Sequence, residues 1–161
     1  MNTPLDQEII HKELDLIQDI IKRMATNSFQ VKTWLIGILS ALVVLENKAI
    51  FATANGNEDF SVKMNIFLFL PILCFWYLDA FFLSTEKLYR ELYKWVVQNR
   101  SVTDAYLYDL NTFTRTWNGK TDKLLNPKNS VWNMMFSKTL LPFYLVPFAF
   151  VLGLVFFNSY R

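Results

Sequence analysis

Three long apolar stretches limit what this chain of 161 residues can fold into, because a soluble domain of this size has too little interior to bury them all. The last, residues 139–157, has no charged residue and is long enough for a helix to cross a hydrocarbon core of about 30 Å. The second covers about residues 65–83. The first covers about residues 31–52, with Glu46 and Lys48 near its far end, where long side chains reach the headgroups. The pattern predicts an all-α membrane protein with about three transmembrane helices.

The amino-terminal segment, residues 1–30, is predicted to form a cytosolic amphipathic helix. Its apolar residues recur at steps of four and three, as at Ile10, Leu14 and Ile17, and acids mix with bases on the opposite face. This fits packing against the protein's own cytosolic helices or a short coiled coil between protomers, and it disfavours interfacial lipid binding. Five acids precede the first apolar stretch, so we expect no cleavable signal peptide and a first span that remains as an anchor.

The second transmembrane helix is predicted to extend into the cytosol, because no helix breaker follows Pro71 before Asn99. The chain then divides into residues 1–30, a transmembrane hairpin over residues 31–83, a basic cytosolic helix and loop region over residues 84–138, and a third transmembrane helix over residues 139–158. Within the loop region, residues 112–117 alternate in a way that allows one short strand. Ser130 is expected to cap the last helix.

The basic residues predict the orientation, since Lys and Arg in short loops collect on the cytoplasmic side of a membrane. Thirteen of the 16 lie in the amino-terminal segment up to Lys32 or in residues 84–138. We therefore expect a multi-pass protein of the bacterial inner membrane, with its amino terminus in the cytosol and its carboxyl terminus in the periplasm.

Catalytic and cofactor motifs are missing from the sequence. His11 is the only histidine, which removes most hydrolase triads and nearly every zinc arrangement, and the four glycines form no phosphate-cradling loop. We therefore expect a protein that is not an enzyme, with no metal site and no cofactor. A net charge of +2 with dispersed basic residues also excludes nucleic acid as a partner.

Asp79 is the most informative single residue, because an acid within a membrane span is costly and marks either a functional site or a structural pair. Steps of seven and four place Asp79, Glu86 and Arg90 on one helix face, with Tyr93 beyond them. We predict that these four residues form a polar seam. The seam either pairs this helix with another span or with the amino-terminal helix, or it lines a pore or senses the state of the cytosolic region.

Two further groups of residues are candidates for binding. Lys32 and Trp34, before the first span, and Trp76 and Tyr77, in the second, have the residue types that anchor spans at the membrane interface. Residues 84–138 carry nine basic and five acidic residues, a balance that suits a phosphate-bearing ligand. The candidate ligand residues within this region are Arg100, Arg115, Lys120 and Lys123.

Residues around the first two spans resemble those of a known group of proteins. They are Asn27, Ser28, Phe29, Lys32 and Trp34, followed by residues 75–80, Phe82, Leu83, Glu86, residues 88–90, Leu92 and Tyr93. The stretch that contains them, residues 9–97, resembles small bacterial inner-membrane proteins. More loosely, it is similar to SLATT-type and related transmembrane effectors of nucleotide-signalling antiphage systems, in which helical membrane proteins assemble and impair the membrane when a signal arrives.

The resemblance implies a homo-oligomeric effector in antiviral defence that permeabilises the inner membrane, as a pore or otherwise, on receiving a cytosolic signal. The implied partners are the lipid bilayer, further copies of the chain, and a cyclic nucleotide or a soluble signalling protein. The alternative is a non-enzymatic membrane adaptor whose cytosolic helices recruit a soluble partner. A small transporter is a weaker third hypothesis, because three spans with one acid offer little for alternating access.

Overall fold

The computed structural model describes residues 4–52, 67–101, 106–112, 115–117, 120–122 and 129–159 of the chain. Within these ranges, side chains are described for residues 7–44, 67–101, 106–112 and 129–156. The predicted interfacial positions of Glu46 and Lys48 therefore lie outside the described side chains.

The first helix, α1, covers Pro4–Ala52 and joins the predicted amphipathic segment to the first apolar stretch. Proline suits its first position, since the first amide groups of a helix have no partner within the helix. Residues 25–30, between the two parts, contain neither glycine nor proline, so nothing in the sequence interrupts the helix. At 49 residues, α1 has a length of roughly 75 Å.

The second helix, α2, covers Phe69–Asn99 and is continuous beyond the apolar stretch, as the sequence predicts. Pro71 lies in its first turn, where the missing amide hydrogen costs little. At the other end, the Asn99 side-chain amide donates to the Trp95 carbonyl oxygen over 2.9 Å. This bond adds a side-chain donor to a carbonyl oxygen in the last turns of the helix.

A small hairpin follows, in which β1 (Arg115–Trp117) pairs antiparallel with β2 (Lys120–Asp122). The alternating residues 112–117 therefore contain one strand, β1, and its partner β2 begins three residues after β1 ends. Asn118 and Gly119, which connect the strands, lie outside the described residues, but their types suit a two-residue hairpin turn.

The carboxyl-terminal part contains a short helix, α3 (Val131–Met135), and a long apolar one, α4 (Leu140–Ser159). The prediction that Ser130 caps the last helix is wrong. Ser130 precedes α3, whereas the hydroxyl oxygen of Ser137 accepts a hydrogen bond from the Leu140 amide and its carbonyl oxygen accepts one from the Leu141 amide. Ser137 therefore caps α4, because these two bonds satisfy amides of its first turn.

Contacts divide the chain into two compact units. The polar unit consists of Met1–Asn27 and Phe81–Met134, and the apolar unit consists of Ser28–Ala80 and Met135–Arg161. In the polar unit, the core is formed by Ile17 from α1 and by Leu92, Trp95 and Val96 from α2. In the apolar unit, parts of α1 and α2 pack with α4, for example through an edge-to-face contact of Phe69 and Phe148 at 4.9 Å.

The all-helical class is confirmed apart from the short hairpin. Among the described residues, α1 and α2 are long and apolar enough to cross a membrane, and the apolar stretch Leu140–Phe156 forms a shorter helix. Two candidate spans support a membrane location. Their orientation and the span count of three remain predictions.

Candidate functional site

Asp79 forms the centre of a buried polar cluster inside the apolar unit. Its side chain is completely inaccessible to solvent, yet three donors from two other helical segments surround it. The Lys32 ammonium group lies 2.5 Å from Oδ2, and the Tyr144 hydroxyl donates to the same oxygen over 3.0 Å. The Ser28 hydroxyl donates to Oδ1. Such donors offset the cost of placing a carboxylate in an apolar interior.

The helical repeat of α1 brings Ser28 and Lys32 together, since residues four apart lie one above the other on a helix face. The Lys32 ammonium group donates to the Ser28 hydroxyl oxygen over 2.8 Å. It also lies 5.9 Å from the centre of the Phe143 ring, within range of a cation–π interaction. Lys32 therefore links α1 to both α2 and α4, with its charge directed at Asp79.

An aromatic layer supports the cluster from α2 and α4. The Trp76 ring stacks on the Tyr144 ring, with 5.7 Å between centroids and 8° between planes. The Trp76 indole N–H donates to the Met135 carbonyl oxygen over 2.9 Å. The stacking contact and this hydrogen bond together fix the position of the ring. Tyr144 has one hydroxyl hydrogen and two acceptors within reach, because the Phe75 carbonyl oxygen lies 3.2 Å away.

The predicted polar seam on α2 divides into separate contacts. Asp79 bonds within the apolar unit, whereas Glu86 and Arg90 pair with each other over 2.8 Å in the polar unit. The Tyr93 hydroxyl accepts a hydrogen bond from the Gln18 side chain over 3.2 Å. The four residues share a helix face, but Asp79 has its own set of partners. Whether any of them lines a pore remains a prediction.

The four predicted interface anchors differ in their surroundings. Trp34 and Tyr77 are exposed, as a membrane-facing residue would be, and Trp34 is 62% accessible. Trp76 is buried against Tyr144, and Lys32 points at Asp79. Lys32 and Trp76 therefore contribute to the polar cluster and its aromatic support.

A second ion pair, with both members buried, lies in the polar unit, where it uses one of the predicted ligand residues. The guanidinium group of Arg100 pairs with the Glu13 carboxylate through Nε over 2.7 Å and also through Nη2. Both side chains are almost fully buried. The other three predicted ligand residues, Arg115, Lys120 and Lys123, have side chains outside the described part of the chain. The ligand role of all four stays a prediction.

The Glu13–Arg100 pair also holds a strained turn. Tyr106 and Tyr108 have φ angles of 63° and 56°, in the left-handed region that side chains other than glycine rarely adopt. The Tyr108 amide donates to Glu13 over 3.2 Å, and Arg100 donates to the Tyr106 carbonyl oxygen over 3.3 Å. The pair stabilises the turn, because it satisfies backbone groups that the left-handed residues direct towards it.

Glu13 and Tyr144 are not among the site residues that the sequence predicts. Glu13 lies among the other charged residues of its segment, and Tyr144 lies in an uncharged stretch. The available signal for Tyr144 was its hydroxyl group, which needs a partner in an apolar environment. Within the described side chains, no group of three or more His, Cys, Asp and Glu residues could hold a metal ion.

Comparison with protein-family models, curated proteins and solved structures gives no match to this chain. The resemblance to transmembrane effectors therefore stays a prediction from the residues that carry it.

Proposed function

We propose that this protein is an oligomeric effector of the bacterial inner membrane. Its polar unit lies in the cytosol and receives a signal, and its apolar unit then permeabilises the membrane. The amino terminus is cytosolic, the carboxyl terminus is periplasmic, and α4 is a third span. The function belongs to antiphage defence, in keeping with the resemblance.

The distribution of exposed apolar side chains supports the membrane location. Of the 21 large hydrophobic side chains that are exposed in the described part of the chain, 15 belong to the apolar unit. Such a surface is unfavourable in water and favourable in lipid. The 20 residues of α4 give a helix of about 30 Å, which matches the thickness of a hydrocarbon core and supports a third span.

The ion pair between the buried Asp79 and the partly buried Lys32 is the observation that carries the effector proposal. Charged groups inside a membrane are rare and costly, and they are associated with switching or conduction. This pair joins α1 to α2, and Tyr144 joins α2 to α4. Breaking it would leave charges in an apolar environment and so favour a different arrangement of the spans. We assign the intact pair to the resting state.

The effector proposal predicts that Asp79→Asn depolarises cells without a signal. Loss of the carboxylate leaves Lys32 without its counter-charge and so destabilises the resting state. A change of about 1.4 kcal/mol in the equilibrium between the resting and active states raises the population of the active state about tenfold. The measurement is a membrane-potential dye during controlled expression in a bacterium, with and without phage challenge. Asp15→Asn, which neutralises an exposed acid on α1, is the matched control and should behave like the unchanged chain.

The same experiment tests the alternative, a membrane adaptor. One observation favours it: the buried Asp79 carboxylate is met by a cation and two hydroxyl donors, as expected for a static structural pair. If the protein is an adaptor, neither the unchanged chain nor Asp79→Asn should change the membrane potential, although both proteins are inserted in the membrane. It would also co-purify with a soluble protein through its polar unit.

The proposed topology predicts where fused reporters are active. Alkaline phosphatase folds only in the periplasm, so fusions after residues 57 and 161 should be active and a fusion after residue 129 should be inactive. Green fluorescent protein, fused at the same three points, should give the reverse pattern. An inactive phosphatase at residue 161, with an active one at residue 57, would show that α4 does not cross the membrane.

A further inference from the structure

A basic groove lies on the polar unit between α1 and α2. It has a volume of about 520 Å³, within the range of small-molecule sites, and three of its six lining residues are basic. Each helix contributes residues at spacings of three and four, so each wall is one helix face. The lining residues are Gln18, Ile21 and Lys22 from α1 and Arg90, Tyr93 and Lys94 from α2.

Two of the three charges of the groove, those of Lys22 and Lys94, are only weakly neutralised. Lys22 lies 3.8 Å from Asp19, and both side chains are more than two-thirds exposed, so this pair contributes little. Arg90 pairs with Glu86 over 2.8 Å through one carboxylate oxygen. Lys94 is exposed and makes no ion pair with the described residues. Lys22 and Lys94 are therefore available to an incoming anion.

The base of the groove is more apolar than its rim. Ile21 and Tyr93 pack against the core of the polar unit, and the hydrogen bond from Gln18 to Tyr93 links the two helices there. An apolar and aromatic base accepts an organic group, while the basic rim accepts concentrated negative charge. Arg90 adds a planar guanidinium group, whose geometry matches phosphate oxygens.

We infer that this groove binds a small organic phosphate, with the phosphate between Lys22, Arg90 and Lys94 and its organic part against Tyr93. The ligand is either a free phosphate ester or the headgroup of an anionic phospholipid. A role for the groove as the signal site rests on the proposed function, whereas binding itself is measurable without any effect on the membrane.

The test is calorimetric titration of the full chain, in a neutral detergent, with pyrophosphate as the probe. The variant Lys22→Gln/Lys94→Gln removes two charge-assisted contacts and should bind at least about tenfold more weakly. The control is Lys12→Gln/Lys138→Gln, which removes the same charge from exposed lysines outside the groove and should bind within about twofold of the unchanged chain. No binding by the unchanged chain at millimolar pyrophosphate, or equal loss in both variants, would overturn the assignment.

Two further titrations distinguish the sources of the phosphate. Glycerol 3-phosphate represents a free ester, and short-chain phosphatidylglycerol represents a lipid headgroup. Binding of the ester that depends on Lys22 and Lys94 assigns the groove to a soluble ligand. Binding of the lipid alone, with the same dependence, assigns it to a headgroup. A groove that binds phosphate in a protein that never depolarises cells would refute the effector proposal and leave the site intact.

Discussion

Replacing Lys32 with methionine should lower the free energy of unfolding of the apolar unit by about 3 kcal/mol, because it leaves the Asp79 carboxylate buried without its counter-charge. Asp79 is 0% accessible with Lys32 in place, and a methionine side chain has no charged group to replace the ammonium group. Ser28 and Tyr144 still donate hydrogen bonds, but neither supplies a positive charge. The measurement is unfolding in mixed micelles of dodecyl maltoside and dodecyl sulfate, followed by circular dichroism.

A second variant separates two quantities: the cost of leaving one charge unpaired, and the net contribution of the ion pair to the free energy of unfolding. In Lys32→Met/Asp79→Leu both charges are gone, and we expect stability to return to within about 1 kcal/mol of the unchanged chain. Lys138→Met, which removes an exposed lysine, is the control for the loss of a positive charge. If Lys32→Met were as stable as that control, the ion pair would not exist in the micelle.

The helices of this protein are largely predictable from its sequence, because their signals are local. Periodic apolar residues predict the first part of α1, uninterrupted apolar runs predict the later part and α4, and the lack of a breaker predicts the length of α2. The break between α3 and α4 is harder to predict. Ser130 and Ser137 are both possible caps, and only the backbone geometry selects Ser137 for α4.

The candidate site is only partly predictable, because its partners come from distant parts of the chain. Asp79 is recognisable by itself, as the acid in an apolar run, and Lys32 and Ser28 lie in a cluster that the sequence indicates. Their pairing with Asp79, across about 50 positions of sequence, depends on how α1 packs against α2. Tyr144 has no local signal beyond its hydroxyl group. The Glu13–Arg100 pair cannot be predicted from the sequence either, because 87 positions separate the two residues.

Replacing Glu13 with glutamine should have the largest effect in the polar unit, since arginine does not lose its proton and so keeps its buried charge. A cost of about 3 kcal/mol corresponds to roughly hundredfold faster hydrogen exchange of the α2 amides near Trp95, and to loss of protection at Tyr108. Exchange measured by mass spectrometry on the full chain in detergent resolves these segments. Glu8→Gln, an exposed acid on the same helix, should change exchange less than about twofold. Equal exchange in the two variants would mean that Arg100 finds another partner or reaches water when Glu13 is lost.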